Sequence, residues 1–169
     1  MATVLIAENV PDIAFGLDLL FTRAGHRTHL VATGPDTLAA IQRSAPDLLV
    51  MNPSLPGEDG LVICRRLKSE ADTVGLPILL LSARYRAEEV TAARHAGADV
   101  YLAKPFCNQD LLLHVEALLH RSDGSPAQAQ LRSRRHASGS PRETGAADTD
   151  DHTRPQTPAT VGLPIVEGT

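Results

Sequence analysis

At 169 residues, 43% of them hydrophobic, the chain has the length of one globular domain with room for an appendage. A formal net charge of −4 gives no overall nucleic-acid signature. The two cysteines, Cys64 and Cys107, form no CxxC motif or ligand cluster, and a reduced cytoplasmic setting is the plain reading.

The opening MATVLIAEN has no basic start and only a short apolar run, so no signal peptide is expected. No stretch approaches the length of a membrane span. The expectation is a soluble cytoplasmic chain without membrane contact. The aromatics then locate the core. Phe15, Phe21, Tyr85, Tyr101 and Phe106 all precede residue 122 and none follows it. Residues 1–121 therefore read as the folded domain. Residues 122–169, rich in Ser, Gly, Pro, Thr, Ala and mixed charge, read as a disordered low-complexity tail unable to offset its ordering entropy.

Val4-Leu5-Ile6-Ala7 reads as a short buried strand. Pro11 to Ala24 follows with Ile13, Leu17, Leu20 and Ala24 at helical spacing and Gly25 as a stop. Thr28 to Val31 is a weaker strand, and a helix then runs to about Ser44, ended by Pro46. Asp47 to Met51 makes the third strand, after which Asp59 is placed to cap a helix carrying Cys64 and Leu67 inward. Ile78-Leu79-Leu80-Leu81 is the most clearly buried strand. Glu88 to Ala96 is a helix stopped by Gly97, and Val100-Tyr101-Leu102 is the last strand. Asn108 to His120 closes the domain with Leu111, Leu112, Val115, Leu118 and Leu119 on one face. Five apolar strands alternating with five amphipathic helices predict an α/β fold, a parallel sheet covered on both faces.

In such a sheet the residues just after each strand gather at one edge. They are Glu8 and Asn9, Asn52, Ser82 and Ala83, and Lys104 before Pro105. Any one of them is what a buried strand shows as it re-enters solvent. An acid, two amides, a hydroxyl and a lysine at a common edge form a more specific pattern.

PDLLVMNPSLPGEDG, LLLSAR and GADVYLAKPF, in that order and at this spacing, make residues 3 to 121 resemble the receiver domain of two-component response regulators. The resemblance implies a flavodoxin-like (βα)5 fold with strand order 2-1-3-4-5. It implies an aspartate after the third strand that accepts a phosphoryl group from a histidine kinase, and an acidic pair after the first strand that helps hold Mg²⁺. It also implies a Ser or Thr and a Lys contacting the phosphoryl oxygens. Ser82 and Lys104 match the last two, Lys104-Pro105 matches a Lys-Pro expected to be cis, and Tyr101 matches an aromatic that rotates on activation. Glu8 matches the first acid of the pair.

The departures strike one piece of chemistry. Asn9 stands for the second acid and Asn52 for the phosphoacceptor, and a carboxamide oxygen is a poor nucleophile that gives no acyl phosphate. Mg²⁺ usually takes one or two carboxylates, and with Glu8 alone its binding is expected to be lost or very weak. Pro53 removes a backbone N–H that would hold phosphoryl oxygens. Asn52 thus reads as the remnant of a phosphoacceptor site, with Glu8 and Lys104 free to pair directly.

Ser54, Asp47 and Asp59 read as a turn residue, a strand start and a helix cap rather than substitute acceptors. The seven histidines show no HExxH or Cys/His spacing, so no metal site is expected. Cys107, just past the lysine turn, is expected to be a small buried side chain rather than an exposed, oxidisable one. Arg132, Arg134, Arg135 and His136 make a basic cluster in the tail, without aromatic partners and followed by Asp148, Asp150 and Asp151. A solvated stretch is expected there rather than a nucleic-acid contact.

The function expected is a stand-alone, non-enzymatic receiver in phosphorelay signal transduction, independent of phosphorylation, with no cofactor. Its partner would be a sensor kinase, output protein or other regulator, or a second copy in a homodimer. Contact would run through the face of the fourth helix, fifth strand and fifth helix, where Arg94, His95, Tyr101 and His114 are candidate residues. A working receiver with an unusual acceptor and a small-ligand sensor using the strand-edge crevice remain open as alternatives.

Overall fold

A computed structural model of the protein describes residues 1–122; the tail expected to be disordered lies, from residue 123 on, outside the described residues. Strands and helices alternate as β1 (Thr3–Ala7), α1 (Pro11–Arg23), β2 (Arg27–Val31), α2 (Gly34–Ser44), β3 (Leu48–Met51), α3 (Gly60–Ser69), β4 (Ile78–Ser82), α4 (Ala87–His95), β5 (Val100–Ala103) and α5 (Asn108–Ser122). All strand pairings are parallel and the sheet order is β2-β1-β3-β4-β5. This is the flavodoxin-like order that the resemblance implies.

The continuous apolar runs of β1, β3 and β4 follow from burial on both faces, because successive side chains point to opposite sides of a sheet. Val4, Ile6, Leu48, Val50, Leu79 and Leu81 pack with Leu17 and Phe21 of α1 and with Leu111, Val115 and Leu118 of α5. Leu5, Leu49, Met51, Ile78 and Leu80 pack on the other side with Ala40 and Ile41 of α2, Ile63, Cys64 and Leu67 of α3, and Ala93 of α4. At about 25 cal/mol per Å² of apolar surface, these two layers are the main source of stability. Burial also pushes the Cys64 thiol up to about 12, which leaves it a small, unreactive hydrophobe.

Helix ends follow local chemistry. Pro11 starts α1, whose missing N–H costs nothing in the first turn. Thr33 caps α2 by accepting from the Asp36 N–H at 3.2 Å. Asp59 caps α3, its Oδ1 accepting from the Leu61 N–H at 2.8 Å and more distantly from that of Val62. Asp59→Ala should therefore lower stability by about 1 kcal/mol, read as a drop in the urea midpoint at unchanged slope.

Three details depart from the sequence reading. The inner face of α1 is centred on Ala14, Leu17 and Phe21, with Leu20 only partly buried and Ala24 exposed as the C-cap. Element bounds also shift by one or two residues, α5 reaching Ser122 and β2 beginning at Arg27, while α1 ends at Arg23 and β3 begins at Leu48. Cys107, expected to be buried, is exposed. It sits immediately before α5, where its carbonyl accepts the Leu111 N–H and its side chain lies outside the apolar period of that helix. No helix among the described residues is long and apolar enough to cross a membrane.

Candidate functional site

The register of the sheet assembles the site. Ala7 lies opposite Met51, and Ser82 opposite Ala103. The residues that follow β1, β3 and β5 are thereby brought to one edge. The Asn52 N–H donates to the Ala7 carbonyl at 2.9 Å and the Lys104 N–H to the Ser82 carbonyl at 2.7 Å, carrying the ladder one residue beyond the strands. The Lys104-Pro105 peptide is cis.

Glu8, only 3% exposed, is the centre of the arrangement. Its Oε2 accepts from Lys104 Nζ at 2.6 Å. Its Oε1 accepts from the Val10 N–H at 3.0 Å and from Asn52 Nδ2 at 3.1 Å. The second hydrogen of Asn52 Nδ2 goes to Asn9 Oδ1 at 3.0 Å, and Asn52 Oδ1 accepts from the Ser54 N–H at 3.0 Å. A carboxamide has two donor hydrogens and one acceptor oxygen, and here each has a partner. The buried carboxylate is paired and hydrogen-bonded, the arrangement that makes a buried charge tolerable.

The loop after Asn52 is held from three sides. Besides the Ser54 contact, the Gly34 N–H at the start of α2 donates to the Pro56 carbonyl, and the Gly60 N–H at the start of α3 donates to the Pro53 carbonyl, both at 2.9 Å. A Cβ on Gly60 would stand 2.6 Å from Pro53 Cα, so this close approach requires glycine.

Glu8, Asn9, Asn52 and Lys104 thus form one hydrogen-bonded group, whereas Ser82 stands apart from it. The Ser82 Oγ accepts from the Arg84 N–H at 3.1 Å, bracing the β4–α4 loop. Tyr101 is half-buried, and its hydroxyl donates to the Arg84 carbonyl at 2.5 Å; its ring lies 6.4 Å from that of the exposed Tyr85. Arg84 therefore joins Ser82 to Tyr101 through its backbone. It was not singled out in the sequence, although a serine two residues ahead of a polar loop residue is the spacing of a hydroxyl-braced turn. Among the described residues no three His, Cys, Asp or Glu side chains are placed to share a metal ion.

A family model for the response regulator receiver domain matches residues 4–116. The chain belongs to that family. Among curated relatives, the transcriptional regulatory protein AfsQ1 of Streptomyces coelicolor is 37% identical over 123 residues, covering 73% of this chain and 53% of the relative. The DNA-binding response regulator MtrA of Mycolicibacterium smegmatis is 31% identical over 125 residues, 74% of this chain and 54% of its own length. The chain thus spans about half the length of the curated relatives it matches.

Of solved receivers, a response regulator from Chloroflexus aurantiacus superposes with a TM-score of 0.68 at 36% identity, over 70% of this chain and 98% of that one. The signal receiver domain of a histidine kinase from Syntrophus aciditrophicus gives 0.70 at 28% identity, over 74% and 95%. The chain is a response regulator receiver of two-component signalling, a class whose members work by contact with kinases and other proteins.

Proposed function

We propose that this receiver signals through protein contact without being phosphorylated, its strand-edge pocket held in one conformation. The observation that carries this reading is the closed set of hydrogen bonds around Glu8. Lys104 is engaged at 2.6 Å, and the Asn52 carboxamide spends both its hydrogens on Glu8 and Asn9. In the family reading, position 52 supplies the nucleophile; a carboxamide does not form an acyl phosphate, so the role is one of binding rather than catalysis.

The donor set also fits Mg²⁺ poorly. One carboxylate is present, it is already bound to an ammonium group, and the oxygens of Asn9 and Asn52 both accept hydrogen bonds. A cation that demands near-octahedral oxygen ligands and usually one or two carboxylates would have to displace Lys104 first. No step through the metal is assigned. Ser82, turned to the Arg84 N–H, and Tyr101, tied to the Arg84 carbonyl, extend the same fixed state towards α4 and β5. On that side Arg94, His95 and His114 are exposed and available to a protein partner. The DNA binding named for MtrA describes that whole protein, and only the receiver part is carried to this chain.

The test is to add beryllofluoride, a phosphoryl mimic, with excess Mg²⁺ and to record amide NMR shifts. No change at Glu8, Asn52, Ser82 and Lys104 is expected. Saturable shifts there that spread to Tyr101 would show a pocket that still switches and would overturn the proposal.

A further inference from the structure

The sheet ends in β2 on one side and β5 on the other. The β5 edge is four residues long and is followed by Lys104-Pro105. The β2 edge carries none of the devices that blunt an edge: its register with β1 runs unbroken from Arg27 to Val31, without proline or bulge. The Arg27 N–H donates to the Ala2 carbonyl and the Val31 carbonyl accepts from the Glu8 N–H, so residues 27, 29 and 31 turn their backbone groups towards β1. Alternation points the N–H and C=O groups of Thr28 and Leu30 outward, and among the described residues no strand lies beyond them.

An apolar patch adjoins these groups. Thr28 bonds Asp18 of α1 through its hydroxyl, so Thr28 and Leu30 share the α1 face and Asp18 marks the side of α1 that overhangs the edge. Phe15 and Leu19, one helical turn apart, form an apolar stripe beside Asp18. Leu30 is 47% exposed, Phe15 67% and Leu19 40%.

We propose that two copies of this chain pair through their β2 edges, antiparallel, about a two-fold axis at His29. Thr28 of each copy would then stand opposite Leu30 of the other, and each pair would exchange two backbone hydrogen bonds. His29 would face His29 of the second copy as the non-bonded pair between them. This register satisfies every outward group of Thr28 and Leu30 from within the strands themselves, which is what an isologous contact requires.

Charge and direction favour a second copy as the occupant. The axis sets the two α1 helices antiparallel, so Arg23 in the last turn of one runs towards Asp12 in the first turn of the other. On the opposite face, Arg27 of each copy comes beside Val31 of the other, near the start of α2 with its exposed Asp36. A parallel pair would set like ends together. Strand pairing alone is a small contact; the Phe15–Leu19 stripe of each copy adds the apolar area that a stable dimer needs.

Two experiments on the full chain test this. The first is disulfide trapping in a Cys107→Ser background, which removes the exposed native thiol. Opposed non-bonded residues have Cα atoms about 4.5 Å apart, within disulfide reach, so His29→Cys should cross-link to its counterpart under mild oxidation. Arg27→Cys, on the same face, would lie about 14 Å from its counterpart and should cross-link at least about tenfold more slowly. Equal rates at the two positions, or faster trapping at Arg27→Cys, would overturn the proposal.

The second is sedimentation equilibrium up to about 1 mM protein, where the native chain is expected to reach twice the mass of one chain. Leu30→Pro removes a donor that faces the second copy and none that faces β1, so the sheet should keep its ladder. It should raise the dimer Kd at least about tenfold, and Phe15→Ser/Leu19→Ser, which leaves the backbone alone, should do the same. Unchanged far-UV circular dichroism would show that the variants stay folded. A native chain that stays monomeric throughout would overturn the proposal. So would a dimer that survives the Phe15→Ser/Leu19→Ser change intact, because another face would then be holding it.

Discussion

Lys104→Met should lower the unfolding free energy by about 3 kcal/mol, because it leaves the Glu8 carboxylate buried without its counter-charge. The methionine is close in length and keeps the apolar stem, so the loss reports the charge rather than a cavity. Removing one partner of a buried pair typically costs about 3–5 kcal/mol. The lower end is expected here, since Glu8 keeps the Val10 N–H and Asn52 Nδ2 as donors. Glu8→Gln should cost less. Its stranded ammonium is the more accessible partner, the Lys104 side chain being 14% exposed against 1% for that of Glu8. The double substitution Glu8→Gln/Lys104→Met should recover much of the single Lys104→Met loss, since neither buried charge then remains. Urea midpoints for the four proteins give the coupling directly. Additive losses would mean that the 2.6 Å contact contributes no specific pairing energy.

How far this site could be read in advance depended on the kind of signal. Glu8 and Asn52 were legible because each ends an apolar run that is buried on both faces, and Lys104 because it ends the half-buried β5 just before a proline. A parallel sheet has only one edge to which such ends can go. The pairing of Glu8 with Lys104 followed from the lack of any other acid in the group. What local sequence could not supply was direction. Whether the Ser82 hydroxyl faces Lys104 or the Arg84 N–H depends on the path of the β4–α4 loop, and the structure chooses Arg84. Periodicity placed α1 correctly but not its rotation: Leu20 and Phe21 are adjacent, and only packing against β1 and α5 makes Phe21 the fully buried one. Cys107 was misjudged because a small apolar residue beside a turn carries no pattern of its own. The edge position of β2 came with the family resemblance alone, since strand order is a property of the whole sheet and not of any local run.

Asn52→Asp is expected to destabilise the protein by about 1–3 kcal/mol and still to take up no phosphoryl group from acetyl phosphate. In the native chain the Asn52 amide points two donor hydrogens at two acceptors, Glu8 Oε1 and Asn9 Oδ1. An aspartate would set a third acceptor against them, with no hydrogen between, and add a like charge next to Glu8. Its other oxygen would still receive the Ser54 N–H, as Asn52 Oδ1 does now, so the loop itself should hold. The repulsion falls on the inner side of the pocket, where Lys104 would be shared between two carboxylates instead of serving one. Labelling should remain absent because a nucleophile alone does not rebuild the site. Asn9 still withholds the second acid, and Pro53 still withholds a backbone donor just after the acceptor position. Adding Asn9→Asp and Pro53→Ala to Asn52→Asp should therefore bring Mg²⁺-dependent labelling where the single change does not. Phosphoryl incorporation from labelled acetyl phosphate, followed with and without Mg²⁺, separates the outcomes. Efficient labelling of Asn52→Asp alone would mean that Asn9 and Pro53 are no obstacle, and that one amide is all that keeps this receiver silent.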